Sequence, residues 1–361
     1  MLSNSPTTIK VPGKLMVAGE FAVLVPHHQL VVMAVDRFVY ATIEQSDRNK
    51  LTLHDFQLNN LAWEFSNNEV NIASGDDRLK FVRRAMKIVL TYLEERSITP
   101  APFTLEINSE LDDESGAKYG LGSSAAVVTA VIAAVLKKFD HGEMNKETLF
   151  KLASIAHVTV QGNGSGADIA ASSFGGFLQY TSFQAKWLIE LYENTDTIAE
   201  LLQAEWVYYS STSTRLPSGV HVCIGWTGKP ASTGKLVHEV LKLKDANPGQ
   251  FNAFLKDSEE AVEKFMNGMK TVNIPLLLQG VMENRYALRT VGEQAKVEIE
   301  TPLLCTLCDL AEEFGGAGKP SGAGGGDCGI AFMPSRESAE NLMKAWGKVG
   351  IKPLALKPYG S

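Results

Sequence analysis

Four stretches of this chain set small or polar residues where a packed protein usually places bulk. "VPGKLMVAGEFAVL" carries Lys14 on a Pro-Gly step, and "KYGLGSSAAVV" puts two glycines and two serines ahead of an apolar run. "VQGNGSGADIAAS" sets Asp168 behind a cluster of glycines, and "GKPSGAGGGDCGIAF" closes the series. Glycines let a backbone approach a ligand closely, and the unpaired N–H groups of a helix start attract an anion. A lysine neutralises such an anion, and a carboxylate takes or orients a proton. Helix capping accounts for one of the serines Ser123 and Ser124, but not for two serines together with Gly120 and Gly122.

Two well-known phosphate loops do not fit. Gly120, Gly122 and Ala125 satisfy G-x-G-x-x-A with Asp140 at the expected distance. However, a polar segment separates them from the strand ending near Ser109, and Asp140 follows a helix, not a second strand. "GKPASTGKL", Gly228 to Leu236, has one residue too many for a P-loop and a leucine in place of its metal-binding hydroxyl. The same stretch places Ser232 and Thr233 at a helix start, either as a second anion site or as simple caps. "SGAGGG", Ser321 to Gly326, is too glycine-rich for a turn alone and is expected to close over a bound group, with Lys319 beside it read as a solvated loop lysine. Cys305 and Cys308 form a C-x-x-C inside an amphipathic helix, with no partner pair at zinc spacing. They read as two half-buried thiols. The basic face Lys80, Arg83, Arg84 and Lys87 reads as solvated surface.

The elements that must position these residues alternate irregularly. Strands are expected from Ile9 to Glu44 around a glycine turn, in "LTLHDF", "LAWEFS", "FTLEINSEL", "GGFLQYTSF", "VHVCIGWTG" and "CGIAFM". Helices are expected over "DRLKFVRRAMKIVLTYLEERS", Ser123 to Phe139, "KETLFKLASIAHVTVQ", from Thr233, and through to Phe314. This is an α+β plan. Polar, acidic residues near Glu190 to Glu200 mark a boundary, giving domains at 1–190 and 191–361. The length of 361 residues suits two domains, and 45% apolar content allows a full core in each. A net charge of -7 without a basic run argues against nucleic acid. The longest uncharged apolar run, Ala125 to Leu136, is too short to span a bilayer. "MLSNSPTTIK" lacks a secretory core, so the expected setting is cytoplasmic, with no membrane partner.

The first, second and fourth stretches, in that order and at that spacing, resemble the three motifs of the GHMP kinases, ATP-dependent kinases of small molecules. "VQGNGSGADIAAS", "GWTGKPAST" and "EIETPLLCTLCDLAE" look like segments of the bacterial-type phosphomevalonate branch. The resemblance implies an N-terminal domain like ribosomal protein S5 domain 2, a ferredoxin-like C-terminal domain, and ATP in the cleft between them. It implies small-molecule substrates, ATP and phosphomevalonate, with mevalonate or another small molecule as the alternative acceptor, or a non-catalytic metabolite binder as the remoter one. The expected assembly is a monomer or homodimer. By the same resemblance Asp168 is catalytic with Lys14 as its partner. ATP is held by Lys118, Gly120, Leu121, Gly122, Ser123, Ser124 and Ala125. The acceptor meets Lys14, Gly166, Ser232, Thr233, Ser321, Gly322, Ala323 and Gly324. Mg²⁺ sits on ATP with Ser124. The pattern of mevalonate kinases has a metal-binding Glu eleven residues before the catalytic Asp, where this chain has His157. Imidazole suits Mg²⁺ poorly, and His157 is expected to be a satisfied core histidine.

Overall fold

The computed structural model describes residues 5–113, 116–140, 144–231 and 233–360. The first half builds β1 (Thr7–Ala18), β2 (Gln29–Gln45), β3 (Lys50–Leu53), β4 (Leu58–Ser66), β5 (Glu69–Ile72), α1 (Lys80–Glu95), β6 (Phe103–Ser109) and α2 (Ser123–Phe139). α3 (Lys146–Gln161), α4 (Ala167–Phe174), β7 (Phe177–Thr181), α5 (Ala185–Glu193), α6 (Ile198–Gln203) and β8 (Ser210–Thr214) follow. Their strands form one sheet in the order β5-β4-β3-β6-β2-β7-β8, with β1 paired to β2. The second half holds β9 (His221–Trp226), α7 (Thr233–Ala246), α8 (Pro248–Thr271), α9 (Ile274–Gln294), α10 (Pro302–Glu313), β10 (Ala317–Pro320), β11 (Cys328–Met333), α11 (Arg336–Lys348) and β12 (Lys352–Leu354). Its antiparallel sheet runs β10-β11-β9-β12. The expected α+β plan is what forms. Residue 190 lies inside α5, and β8 beyond it pairs with β7 of the first sheet.

α2 occupies the residues expected of it. Small and branched apolar side chains cover every side of the helix, and from Ala125 to Leu136 all but Val127 are buried. It packs against β1, β2, α1, α3 and α4, so its first turn is held from all around. α1 buries Val82, Ala85, Met86, Ile88, Val89 and Leu93. On its basic side Lys80 is exposed and pairs with Asp77 at 3.1 Å, Lys87 pairs with Glu69, and Arg83 donates to Ser74 O at 3.4 Å. Those bonds tie the helix to the β4–β5 hairpin and the turn before it.

Two irregularities bear on the site. The β1–β2 register shifts between Pro12 and Gly13. A bulge of this kind re-aims the following side chain, here Lys14, whose N–H bonds Leu121 O at 2.9 Å. The second is β10, which pairs with β11 although "AGKP" carries no strand signal. It lies close under α10, since a Cβ on Gly318 would stand 3.1 Å from Ala311 Cβ and from Cys308 Cα.

Lys319 of β10 is the largest departure from expectation. It is fully buried, and its ammonium pairs with the carboxylate of Glu20, itself only 3% exposed. Lys319 Nζ also donates to Pro320 O at 2.6 Å, and Gly322 N–H donates to Glu20 Oε1 at 3.3 Å. A lysine hidden from water must be paired, and this one is paired across the two halves of the chain. Lys319→Met leaves the Glu20 carboxylate buried without its cation and should lower the unfolding free energy by about 3–5 kcal/mol. Urea unfolding of parent and variant reads this directly. A loss below about 1 kcal/mol would show that the pair does not hold the halves together.

Candidate active site

Three helices begin at one cavity of about 600 Å³ that is lined by residues from both halves of the chain. α2 starts from Gly122, which sits in the left-handed region at φ +79° and gives no side-chain cap. Ser123 and Ser124 are therefore the first residues inside the helix, not its caps. The first intrahelical bond is Ala126 N–H to Gly122 O at 3.1 Å. The N–H groups of Ser123, Ser124 and Ala125 precede it and carry the positive end of the helix. Both serines line the cavity, as do Gly120 and Leu121. The Ala125 side chain is buried in the core beneath them.

α4 starts from Gly166, also left-handed at φ +75°, and holds Asp168 in its first turn. Asp168 Oδ1 accepts the N–H of Ile169 at 3.0 Å, which leaves its second oxygen for the cavity it lines. Aromatic residues fix the loop in front of it. Tyr180 donates its hydroxyl to Ser165 O at 2.6 Å, and Phe183 lies so close that a Cβ on Gly166 would be 2.2 Å from its ring. α7 brings the third helix start: Thr233 is exposed and lines the same cavity. Ser232 lies outside the described residues. Ser321, Gly322, Ala323 and Gly324 form the remaining wall, with Ser321 Oγ bonded to Met16 O at 2.9 Å.

Positive charge reaches the cavity through Lys14 and Lys118. Lys14 Nζ donates to Gly120 O at 3.0 Å. Its methylenes pack on Gly122, where an added Cβ would stand 3.0 Å from Lys14 Cε and 3.6 Å from Asp168 Cβ. Lys14 and Asp168 thus flank the same glycine.

Three further residues belong to this site that the motifs did not single out. His157 is buried and stacks on Phe81 with ring centres 5.1 Å apart, as a core histidine would. Yet it also lines the cavity, and its Nε2 meets Ser124 Oγ at 3.2 Å. Burial lowers its pKa, with Asp168 opposing, so the imidazole beside Ser124 is neutral. Asp327 reaches in behind Gly120, and burial raises its carboxyl pKa against the Ala231 N–H and the charges of Lys14 and Lys118. Glu20 lines the cavity while holding Lys319. An aspartate directly after Gly324, Gly325 and Gly326 was the available signal for Asp327. Among the described residues no three His, Cys, Asp or Glu side chains group to cage a metal. Cys305 and Cys308 are free thiols, the first half-buried and the second buried.

Gly122→Val puts a β-branched residue at φ +79° and drives its methyls into Lys14, a strain of about 1–3 kcal/mol at the helix start. The variant should fold but lose the rise in melting temperature that ATP with Mg²⁺ gives the parent. A shift of unchanged size in a folded variant would remove this loop from the nucleotide site.

The GHMP kinases N terminal domain model matches residues 80–176, and the GHMP kinases C terminal model matches residues 274–352. A phosphomevalonate kinase of Streptomyces sp. (strain CL190) is 32% identical over 99% of this chain and 99% of its own. In structure the chain is similar to the Lin0012 protein from Listeria innocua, with TM-score 0.93 and 38% identity over 99% of this chain and 98% of that one. It is also similar to the Streptococcus pneumoniae phosphomevalonate kinase in complex with phosphomevalonate and AMPPNP, with TM-score 0.84 and 26% identity over 98% and 99% of the two chains. Two family models, one in each half, and a relative 32% identical along the full chain thus agree, and the chain belongs to the GHMP kinase family.

Proposed function

We propose that this chain transfers the γ-phosphoryl group of ATP to the phosphate of (R)-5-phosphomevalonate, giving ADP and 5-diphosphomevalonate. One observation carries the reading: α2 and α7, from opposite halves of the chain, both begin at the same cavity. Two helix starts can hold two separate anions, and this reaction has phosphate on both substrates. An acceptor that is a plain alcohol has no use for the second. The Streptomyces relative and the pneumococcal structure, both named phosphomevalonate kinases, point the same way.

In this reading the α2 start, from Gly120 to Ala125, takes the ATP phosphates with Lys118. The α7 start at Thr233, with Lys14, Gly166 and the Ser321–Gly324 wall, takes the acceptor. An acceptor phosphate oxygen forms the new bond to the γ-phosphorus as the bond to the β-phosphate oxygen of ATP breaks. Lys14 neutralises charge on the entering phosphate, and the helix starts do so on either side, fixed in place before the substrates arrive. A phosphate monoester gives up its second proton near pH 6. Above that pH Asp168 has no proton to remove and acts by orienting Lys14 and the acceptor. Below it Asp168 takes the proton from the attacking oxygen.

The residues also fit Mg²⁺, which prefers oxygen and binds through one or two protein groups, water and substrate phosphates. The Ser124 hydroxyl and the second oxygen of Asp168 would be those groups. A neutral His157 would tolerate a cation beside Ser124, and with Nε2 unprotonated it would accept the hydrogen bond of the hydroxyl. Mg²⁺ would supply charge neutralisation on the β- and γ-phosphates.

Asp168→Asn should keep the fold and lower kcat about 10²-fold, within the usual range for a lost acid–base group. The deficit should be larger at pH 5.5 than at pH 8, since only the protonated acceptor needs a base. A deficit independent of pH would limit Asp168 to orientation, and turnover within a few-fold of the parent at both pH values would remove it from the chemistry.

Thr233→Ala should raise KM for phosphomevalonate about tenfold, the cost of one hydrogen bond to a charged group, and leave KM for ATP nearly unchanged. The parent should turn over phosphomevalonate far better than mevalonate, because donors built for a phosphate stay unpaired around a hydroxyl. Equal rates on the two acceptors would make mevalonate kinase the better reading.

A further inference from the structure

We propose that Asp327 is a positioning residue that sets the two phosphate cradles against each other, tying the turn before α7 to the loop before α2 and supplying negative charge to Lys14 and Lys118. The inference rests on the two-anion reading above.

Asp327 is locked to the turn that leads into α7. Its N–H donates to Lys229 O at 2.7 Å, and its carbonyl accepts the N–H of Thr227 at 2.9 Å and the hydroxyl of Thr227 at 3.0 Å. Its side chain extends the same tie, Oδ1 accepting the N–H of Ala231, two residues before Thr233, at 3.2 Å. On the other side the carboxylate lies against the α2 loop. A Cβ on Gly120 would stand 2.7 Å from Asp327 Oδ2 and 2.8 Å from its Cβ and Cγ. The next residue repeats the contact, with Cys328 Sγ donating to Tyr119 O at 3.1 Å.

The placement is costly. Asp327 holds φ +51°, a conformation few side chains adopt, directly after Gly324, Gly325 and Gly326, which show that the chain could have used glycine again. Its half-buried carboxylate lines the cavity proposed to hold anions, where a negative charge would repel the substrates. A group held there against backbone strain and like charge must act on its neighbours. Those neighbours are the ammonium groups of Lys14 and Lys118, the carbonyl-rich α2 loop, and the N–H of Ala231. Lys14 in turn bonds Gly120 O, the glycine on which Asp327 rests. The residue therefore couples the lysine, the nucleotide loop and the acceptor turn.

Asp327→Asn and Asp327→Ala separate the tether from the charge, because Asn keeps an oxygen for Ala231 N–H and Ala does not. Steady-state kinetics with ATP and phosphomevalonate, melting temperatures, and the thermal shift given by AMPPNP with Mg²⁺ are compared with the parent. Asn should keep both KM values within about threefold and the AMPPNP shift intact, while kcat falls about tenfold as Lys14 loses its counter-charge. Ala should in addition raise both KM values about tenfold and shrink the AMPPNP shift. A folded Asn variant with parental kcat, or an Ala variant whose only change is a lower melting temperature, would overturn the proposal. If the parent itself ignores phosphomevalonate, the functional reading fails. The AMPPNP shift, lost in Ala and kept in Asn, still tests the tether.

Discussion

The cleft exists because one buried ion pair closes it. Glu20 stands just past the end of β1, Lys319 on β10, and the two are 299 positions apart in the chain. Desolvating both charges is expensive, and only their mutual attraction and added hydrogen bonds offset it. The carboxylate oxygen that takes Lys319 also takes Gly322 N–H, and Ser321 Oγ bonds Met16 O of β1. The wall from Ser321 to Gly324 is thereby seated over the same strand that carries Lys14. α9 joins at this point as well, with Asn284 Oδ1 accepting Gly19 N–H at 3.3 Å. A hydrophobic contact here would slide, whereas a paired charge specifies one arrangement of the two halves.

The chemistry needed little from any single side chain. In the proposed reaction three helix starts would supply directed N–H groups, two lysines charge, and one carboxylate a proton acceptor or a dipole. None of these needs a side chain of unusual reactivity. They need fixed positions, and the core provides them: α2 is apolar all round, and Phe183 and Tyr180 hold the turn before Asp168. Phosphoryl transfer suits such a site, since its transition state asks for placed charge more than for covalent help.

Local signals were legible and distant partners were not. The span Ser123–Phe139 could be read to the residue, because glycines before an unbroken apolar run define both a helix start and its burial. The short helix α4 behind Gly166 was not anticipated, because the glycine cluster before it read only as a bend. "AGKP" was not readable as a strand, because its burial comes from β11 and α10 and not from its own side chains. Lys319 looked solvated for the same reason: its partner is Glu20, and no spacing rule connects them. His157 was read as core and is core, but its ring also reaches the hydroxyl of Ser124. Where a residue serves two purposes, periodicity reports only the first.

The last described residues return to the first sheet. Tyr359 N–H bonds Ala34 O at 3.0 Å, Gly176 N–H bonds Tyr359 O at 2.7 Å, and the Tyr359 ring meets Phe38 edge-on at 4.8 Å. Asp36 and Lys357 exchange two bonds across 321 residues of chain. On the ribosome this makes a long wait. At about 5–20 residues per second, β2 spends roughly a quarter of a minute to a minute before its final partner has been made. β2 is an inner strand held by β1, β6 and β7, yet Ala34 and Asp36 in its middle wait for their last partners until synthesis is nearly over, so the first sheet is completed only after the second half has been made.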